Sequence, residues 1–265
     1  MEMRVSSIVL DSLKEYEHIS LSQLNSVELL NRSDTKYIFN EKYLLPIISD
    51  LKSNYNLLQI ASENVYLYTT TYYDTLDYLF YKQHQNGNKK RFKIRKRSYS
   101  SSSDIYFEIK EKNNKDKTIK NRFPFNGKLA DLDDLAKSSI YKSTGLSVDE
   151  LKATLEVQFF RFTMSDKNFK ERVTIDTQIN VKKNELSKSF ERLVIAEVKQ
   201  DSYNSKSEFF KILKKYKIFQ SGFSKYCMGL INLNNNLKHN RFKPQLMKLN
   251  KILKNNYKDI NAALI

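Results

Sequence analysis

A run of alternating cationic residues, RFKIRKRSY at positions 91–99, is the most unusual feature of the sequence. If this run forms a β-strand, four cations share one face of it: Arg91, Lys93, Arg95 and Arg97. The opposite face carries Phe92, Ile94 and Lys96. Burying such a row without counter-charges would cost several kcal/mol for each cation. The cationic face must therefore contact water or bind an anion, and the simpler alternative is a solvated strand of a lysine-rich protein.

Charged residues alternate in the same way on other predicted strands. They occupy one face of each segment: Arg32, Asp34 and Lys36; Glu108 and Lys110; Arg161; Arg172 and Asp176; Glu197 and Lys199. The opposite faces are richer in Phe, Ile, Val and Tyr, which suits packing against helices. A closed antiparallel barrel would gather the charged faces around a hydrated cationic bore, whereas an open sheet would display them as a basic plate. Periodicity alone leaves both arrangements open and slightly favours the barrel.

Carboxylates accompany these cations at a fixed spacing of two residues. The pairs are Glu108 with Lys110, Glu197 with Lys199, and Asp34 with Lys36. Mg²⁺ and Mn²⁺ prefer oxygen ligands and bridge to phosphate oxygens, so a metal-dependent phosphate site needs carboxylates of this kind. A cross-strand ion pair is the simpler explanation for any one pair. Several pairs facing one arginine row make the metal interpretation stronger.

Most of the segments that position these residues are predicted strands. They cover residues 31–39, 65–81 with a turn near Asp74, 91–99, 105–112, 154–164, 172–179 and 192–199. A hairpin pairing 91–99 with 105–112 would place Glu108 and Lys110 beside the arginine row. Asn86-Gly87 predicts another hairpin turn, and residues 113–128 a charged loop.

Helices are predicted over 1–30, 40–55, 129–152 and 207–218, and in a basic tail over 235–265. Residues 222–233 are predicted to form either a helix or a strand–helix element. Since many strands follow one another without a helix between them, the sheet is predicted to be antiparallel and the fold class α+β. No Pro- or Gly-rich linker divides the chain. We therefore expect a single domain over 1–265, with a core of about 28–230.

Composition narrows the function further. The 265-residue chain carries a formal net charge of +16, which favours a polyanionic partner. The single Cys227 excludes an internal disulfide and a multi-cysteine zinc site. We find no signal peptide and no stretch of about 20 apolar residues, so a cytoplasmic location is expected. Phosphate-binding glycine loops are absent, and an enzyme of this kind would act by positioning and charge neutralisation.

An ordered set of short motifs then resembles a known family. The motifs are RSDTKY (32–37), YYDT (72–75), RFKIRKRSY (91–99), FEIK (107–110), FFR (159–161), RVTID (172–176), AEVK (196–199) and FSKY (223–226). Together they resemble the VTC domain, the polyphosphate polymerase branch of the triphosphate tunnel metalloenzyme, or CYTH-like, superfamily. The resemblance implies a closed eight-stranded antiparallel β-barrel, the triphosphate tunnel, with helices packed outside.

The resemblance also implies roles for individual residues. Phosphate contacts would come from Lys36, Arg95, Arg97, Lys110, Arg161, Arg172, Lys199, Ser224 and Lys225, with Arg91 and Lys93 nearer a tunnel mouth. Glu197 would bind Mn²⁺ or Mg²⁺, and Glu108 is a weaker metal candidate. Where the triphosphatase branch has Glu-x-Glu-x-Lys, this chain has Arg32-x-Asp34-x-Lys36, which favours the polymerase branch. Phe159 stands where the family pattern has Tyr.

The implied function is a metal-dependent polyphosphate polymerase that uses ATP and inorganic polyphosphate. Three alternatives remain: a tunnel-type triphosphatase, a non-catalytic polyphosphate-binding protein, and a nucleic-acid binder. A nucleic-acid partner is not expected, because a nucleic-acid groove favours cations and stacking aromatics without interspersed carboxylates.

Overall fold

The computed structural model describes residues 3–25, 33–115, 117–201, 204, 206–234 and 236–254. Its strands are β1 (His18–Ile19), β2 (Ser33–Asn40), β3 (Tyr55–Leu58), β4 (Tyr66–Asp74), β5 (Arg91–Tyr99), β6 (Ser102–Lys112), β7 (Thr118–Pro124), β8 (Lys152–Asp166), β9 (Glu171–Lys183), β10 (Leu186–Phe190) and β11 (Leu193–Gln200). Its helices are α1 (Ser7–Lys14), α2 (Leu21–Asn25), α3 (Leu44–Leu51), α4 (Leu79–Asn86), α5 (Asp134–Thr144), α6 (Glu208–Lys215), α7 (Lys225–Leu233) and α8 (Lys243–Lys254).

Eight of the strands form one continuous antiparallel path. Their order is β2-β11-β9-β8-β4-β5-β6-β7, and each neighbouring pair is antiparallel as predicted. β3 and β10 extend the sheet beside β8 and β9, and β1 pairs with β3 in parallel. The described residues of β2 and β7, the two ends of the path, form no ladder with each other. The predicted closure of the barrel is therefore not confirmed, whereas a large, mainly antiparallel sheet is present, with eleven strands among the described residues.

The predicted hairpin between β5 and β6 is present and sets the register of the charged rows. Arg95 lies opposite Glu108, and Lys93 lies opposite Lys110. On the reverse face Phe92 and Ile94 are buried in an apolar cluster that includes α5. Because side chains alternate along a strand, burial of this apolar face directs the cations to the other side of the sheet.

Four of the eight described helices cover the outer face of the sheet, where helices were predicted. α1, α3 and α6 share one apolar cluster with β9 and β11, and α5 packs behind β5 and β6. α7 differs from the prediction, because it packs against Ile38, Ile195 and Leu155. Ile38 and Ile195 each lie two residues from a charged residue of the inner face, so α7 covers one end of that inner face.

Gly229 permits this close packing of α7. A Cβ atom at this position would lie 2.7 Å from Leu155 Cδ2 and 3.1 Å from Val181 Cγ1, too close for an unstrained contact. Ser224 caps the helix, since its hydroxyl accepts a hydrogen bond from the Cys227 amide at 3.3 Å. The cap places Lys225 in the first turn, at the edge of the inner face.

Several sequence predictions about elements are wrong. Asn86-Gly87 does not form a hairpin turn, because Gly87, at φ 73°, is the C-cap of α4, and α4 replaces the end of the strand predicted over 65–81. β7 lies within the predicted loop 113–128, and β3, which was not predicted, begins at Tyr55, the last residue of the helix predicted over 40–55. The predicted helical insertion contains α5 flanked by two short 3₁₀ turns. Arg32 and parts of both predicted terminal helices, 26–30 and 255–265, lie outside the described residues.

Candidate functional site

The inner face of the sheet surrounds a cavity of about 580 Å³ to which all eight strands of the path contribute. Most of the predicted site residues line this cavity: Lys36, Lys93, Arg95, Arg97, Lys110, Arg161, Arg172, Glu197, Lys199, Ser224 and Lys225. Lys120 and Arg122 of β7 join them. The cations therefore converge on one space instead of spreading over an outer surface. Two predicted site residues, Arg91 and Glu108, do not line it.

Arg91 lies at the start of β5, where its Nη1 donates a hydrogen bond to the Asn88 carbonyl at 2.8 Å. Its position is consistent with the expectation that it lies further from the centre than Arg95 and Arg97.

Glu108 lies fully buried behind the wall and contacts three cations. Arg95 donates to Oε2 from Nε at 2.7 Å and from Nη2 at 2.6 Å, while Lys120 and Arg122 reach Oε1 at 2.6 and 2.8 Å. Burial by itself would raise the pKa of the Glu108 carboxyl, but the charges of Arg95 and its neighbours outweigh burial and hold the pKa well below its usual value. Glu108 thus holds three cations in place, and both of its oxygens are occupied.

Asp176 has the same relation to a second pair of cations. Arg161 donates to Asp176 from Nε at 2.5 Å and from Nη2 at 2.8 Å, and Lys225 forms an ion pair with Oδ2. Burial opposes ionisation of Asp176, yet the two cations lower its pKa. Burial also lowers the pKa of Lys225 to about 8. This carboxylate fixes one cation from β8 and one from α7 at the same point of the wall.

Glu197 differs from the two buried carboxylates because it faces the cavity. Its side chain is 20% exposed, against 0% for Glu108. Lys36 Nζ lies 2.9 Å from Oε2, and Lys199 forms an ion pair with Oε1. Lys199 also lies 3.8 Å from Asp34. The two lysines can move from Glu197 to an incoming anion, since their partner keeps contact with water.

The cavity has too little negative charge for its cations. Eleven Lys and Arg side chains line it, against the carboxylates of Asp104 and Glu197. Burial and then the charges of Arg95, Lys199 and Arg97 lower the pKa of Lys110 to about 6. Burial lowers the pKa of Lys93 to about 8. Burial and the crowding of cations without enough anions both depress lysine pKa values, and a bound polyanion would counteract the second effect.

Neutral donors lie among the cations. Thr163 and Thr174, opposite each other on β8 and β9, line the cavity next to Glu197. The Thr174 hydroxyl is buried and has no hydrogen-bond partner among the described residues.

Phe159 stacks on Tyr68 with ring centres 5.3 Å apart, and Lys225 Nζ lies 4.3 Å from the centre of the Phe159 ring. The ring therefore positions a cation without offering a hydroxyl to a phosphate.

Whether a divalent metal fits depends on the oxygen donors. The described residues contain no group of three or more Asp, Glu, His or Cys side chains placed to hold a metal on their own. Glu197 is the carboxylate that faces the cations of the cavity, with Asp34 nearby on β2. Mg²⁺ commonly binds through one or two carboxylates and completes its coordination with phosphate oxygens and water. The donor set thus fits a divalent cation that binds together with a phosphate ligand.

Sequence reasoning missed several residues of this site. Lys120 and Arg122 were hidden because β7 was predicted as a loop. Asp176 was placed on the right face, but its contact with Arg161 depends on the β8–β9 register, which is interrupted by a bulge near Gln158.

No helix within the described ranges is both long and apolar enough to cross a membrane.

Comparison with known proteins gives a consistent result. The family model of the VTC domain matches residues 31–234. The fold is similar to that of a putative adenylyl cyclase from Hippeastrum, which is described as having a dominant triphosphatase activity. The two sequences are 11% identical, the match covers 78% of this chain and 98% of that chain, and the TM-score is 0.50. A putative adenylate cyclase from Bacillus halodurans matches at 15% identity over 74% of this chain and 96% of that chain, with a TM-score of 0.48. No curated protein sequence matches.

Proposed function

The chain belongs to the VTC domain family, and we propose that it is a polyphosphate polymerase that transfers the γ-phosphoryl group of ATP to a growing polyphosphate chain. The observation that carries the proposal is the convergence of eleven Lys and Arg side chains on one cavity. Linked phosphates carry closely spaced negative charges and present oxygens in every direction, which matches a wall of donors contributed by eight strands.

In the proposed reaction a terminal oxygen of the acceptor chain attacks the γ-phosphorus of ATP. The bond from that phosphorus to the bridging oxygen breaks, and ADP leaves with the electron pair. No protein nucleophile is required. The protein contributes positioning and charge neutralisation, the main components of catalysis in phosphoryl transfer.

The buried carboxylates make the cationic wall rigid before substrate binds. Glu108 holds Arg95, and Asp176 holds Arg161 and Lys225. Fixed donors need little reorganisation when charge develops on the transferred group, and this lowers the barrier. Lys36 and Lys199, paired with the partly exposed Glu197, are the cations that we expect to exchange this partner for substrate.

A divalent cation, Mn²⁺ or Mg²⁺, would be held by Glu197 together with phosphate oxygens. When bound, such an ion supplies additional neutralisation of the phosphate charge and orients the phosphate oxygens. Glu108 is the weaker candidate, since its oxygens already contact three cations.

A triphosphatase is the second candidate function. The similar Hippeastrum protein is described with that activity, and the same cavity would bind a triphosphate while water replaced the acceptor chain. A hydrolase would release phosphate or pyrophosphate without chains longer than the substrate, and a non-catalytic binder would retain chains without turnover. The products of the reaction therefore separate the three possibilities.

The test is incubation of purified protein with ATP and Mn²⁺ or Mg²⁺, followed by separation of the products by chain length. We expect chains longer than triphosphate, together with ADP. Lys199→Met serves as the inactive control, because Lys199 lines the cavity. If the wild-type protein releases only phosphate or pyrophosphate, or leaves ATP intact, the polymerase assignment is wrong.

A further inference from the structure

At one end of the cavity the inward-facing residues change from cationic to aromatic. On β5 the row Lys93, Arg95 and Arg97 ends in Tyr99, and on β6 the row Lys110 and Glu108 continues into Tyr106. Tyr68 of β4 lies opposite Tyr99. All three tyrosines line the cavity. The change occurs on neighbouring strands at the same end, so the tyrosines form a continuous surface.

The tyrosines contact one another and an arginine. The rings of Tyr68 and Tyr99 are nearly perpendicular with centres 4.9 Å apart, and those of Tyr99 and Tyr106 are 6.2 Å apart. The Arg122 guanidinium lies 4.4 Å from the centre of the Tyr106 ring and donates to the Tyr99 hydroxyl at 3.1 Å. We call these four residues the tyrosine rim. Each tyrosine is partly exposed, and the Arg122 side chain is 41% exposed.

The rim lies at the end of the cavity away from α7. Tyr226 of α7 stacks on Tyr72 with ring centres 5.0 Å apart, and Tyr72 lies opposite Arg95. Four residues further along β5, Tyr99 is about 13 Å from Arg95 at the usual rise of a strand. A ligand that fills this length would place its anionic part on Arg95 and Arg97 and a different group on the rim.

A polyphosphate chain has no group that gains from flat aromatic surfaces. A nucleotide does, because every nucleobase has a π-face that stacks on tyrosine rings and on guanidinium planes. Cations along the cavity wall followed by aromatic rings at its end therefore match a triphosphate followed by a base.

We propose that the tyrosine rim is the nucleobase subsite, so that the cavity binds a nucleoside triphosphate in preference to inorganic triphosphate. The inference rests on the proposed function in one respect, namely that the phosphates occupy the cationic part of the cavity. Beyond the proposed function, the inference specifies at which end of the cavity the nucleobase lies and which residues contact it. Any nucleobase can stack on these residues, so the subsite does not select one base. The base lies at the rim and the γ-phosphate points towards α7.

The test compares two ligands by isothermal titration calorimetry: the β,γ-imido analogue of ATP and inorganic tripolyphosphate. Wild-type protein should bind the analogue more tightly. Tyr106→Ala should weaken binding of the analogue about 5- to 150-fold, which corresponds to the loss of one base–aromatic stack. It should change tripolyphosphate binding less than about twofold, since it removes no charge. Tyr106→Phe should keep analogue binding near the wild-type level.

Two further variants complete the design. Tyr141→Ala, at a 65% exposed position on α5, is the matched control and should change neither affinity. Tyr99→Ala should reproduce the selective loss and covers the case in which Tyr106→Ala does not fold. The inference is overturned if both ligands weaken equally in the rim variants, or if wild-type protein binds the analogue no more tightly than tripolyphosphate. In either case binding of tripolyphosphate would leave the proposed function standing, whereas failure of both ligands to bind would overturn both.

Discussion

Replacing Glu108 with Gln removes one charge from the wall while keeping its volume and one hydrogen-bond acceptor. In the folded protein the Glu108 carboxylate is 0% exposed and contacts Arg95, Lys120 and Arg122. The side chains of Lys120 and Arg122 are about 40% exposed. In the variant water can solvate their charges, so losing the contact with Glu108 costs little stability at these two residues. The Arg95 side chain is only 10% exposed, so water cannot solvate its charge in the same way. The expected cost is therefore that of one uncompensated buried cation, about 3–5 kcal/mol of unfolding free energy.

For a chain of this size each kcal/mol corresponds to roughly 2–4 °C, so Glu108→Gln should melt about 6–20 °C below the wild-type protein. The measurement is thermal unfolding by circular dichroism between pH 5.5 and 8. Because the pKa of Glu108 lies well below its usual value, its stabilising effect is complete above the ordinary carboxylate pKa and declines only in stronger acid. The ionisation of Glu108 itself should therefore add no pH dependence to the difference in melting temperature above about pH 7, where Lys110, with its pKa of about 6, is also mostly neutral. Inorganic tripolyphosphate should raise the melting temperature of the variant more than that of wild type, since it supplies the missing negative charge.

Glu185→Gln, at an exposed position in the β9–β10 turn, is the matched control and should shift unfolding by less than about 0.5 kcal/mol. If Glu108→Gln unfolds like Glu185→Gln, Glu108 does not offset the cations of the wall, and the account of a preorganised cavity is refuted.

Three further predictions concern residues that line the cavity. Lys199→Met should abolish chain synthesis while changing stability by less than about 1 kcal/mol, because relief of like-charge repulsion offsets the loss of its ion pairs with Glu197 and Asp34; product gels and melting curves measure the two effects, and a large loss of stability would contradict it. Lys110, with a pKa of about 6 in the empty cavity, is mostly neutral at pH 7.5 and gains a proton when bound phosphates raise its pKa. At pH 7.5 the wild-type protein should accordingly take up more protons on binding tripolyphosphate than Lys110→Met does; calorimetry in two buffers measures the uptake, and an equal uptake in the two proteins would exclude this role. Glu197→Gln should raise the half-saturating Mn²⁺ concentration at least about tenfold. It should not weaken metal-free tripolyphosphate binding, and weaker metal-free binding would show that Glu197 only orients its lysines.

The two-residue period was enough to identify the inner face of the sheet. β5 shows why: its apolar positions, Phe92 and Ile94, are buried in the outer cluster, so every second residue had to face inward. The same reasoning correctly placed Lys36 and Glu197, which lie opposite each other on β2 and β11. Alternation is a local property, and a strand with one buried apolar face records it in its own sequence.

What depends on register or on neighbouring elements was not accessible in this way. β7 was missed because Asn121 stands between Ile119 and Phe123 on the same strand face, so the sequence shows too little apolar alternation to predict a strand. Gly87 was assigned to a hairpin because a glycine at positive φ serves a helix C-cap as readily as a turn. The burial of Glu108 under three cations also could not be predicted, since two of its partners belong to β7.

The central claim is that linked phosphates bind inside the cationic cavity, and a crystal structure with inorganic tripolyphosphate tests it most directly. The account predicts phosphorus positions between the strands, with phosphate oxygens within hydrogen-bond distance of Arg95, Arg161 and Lys199. Tripolyphosphate found only on the outer surface, with the cavity filled by water alone, would contradict it.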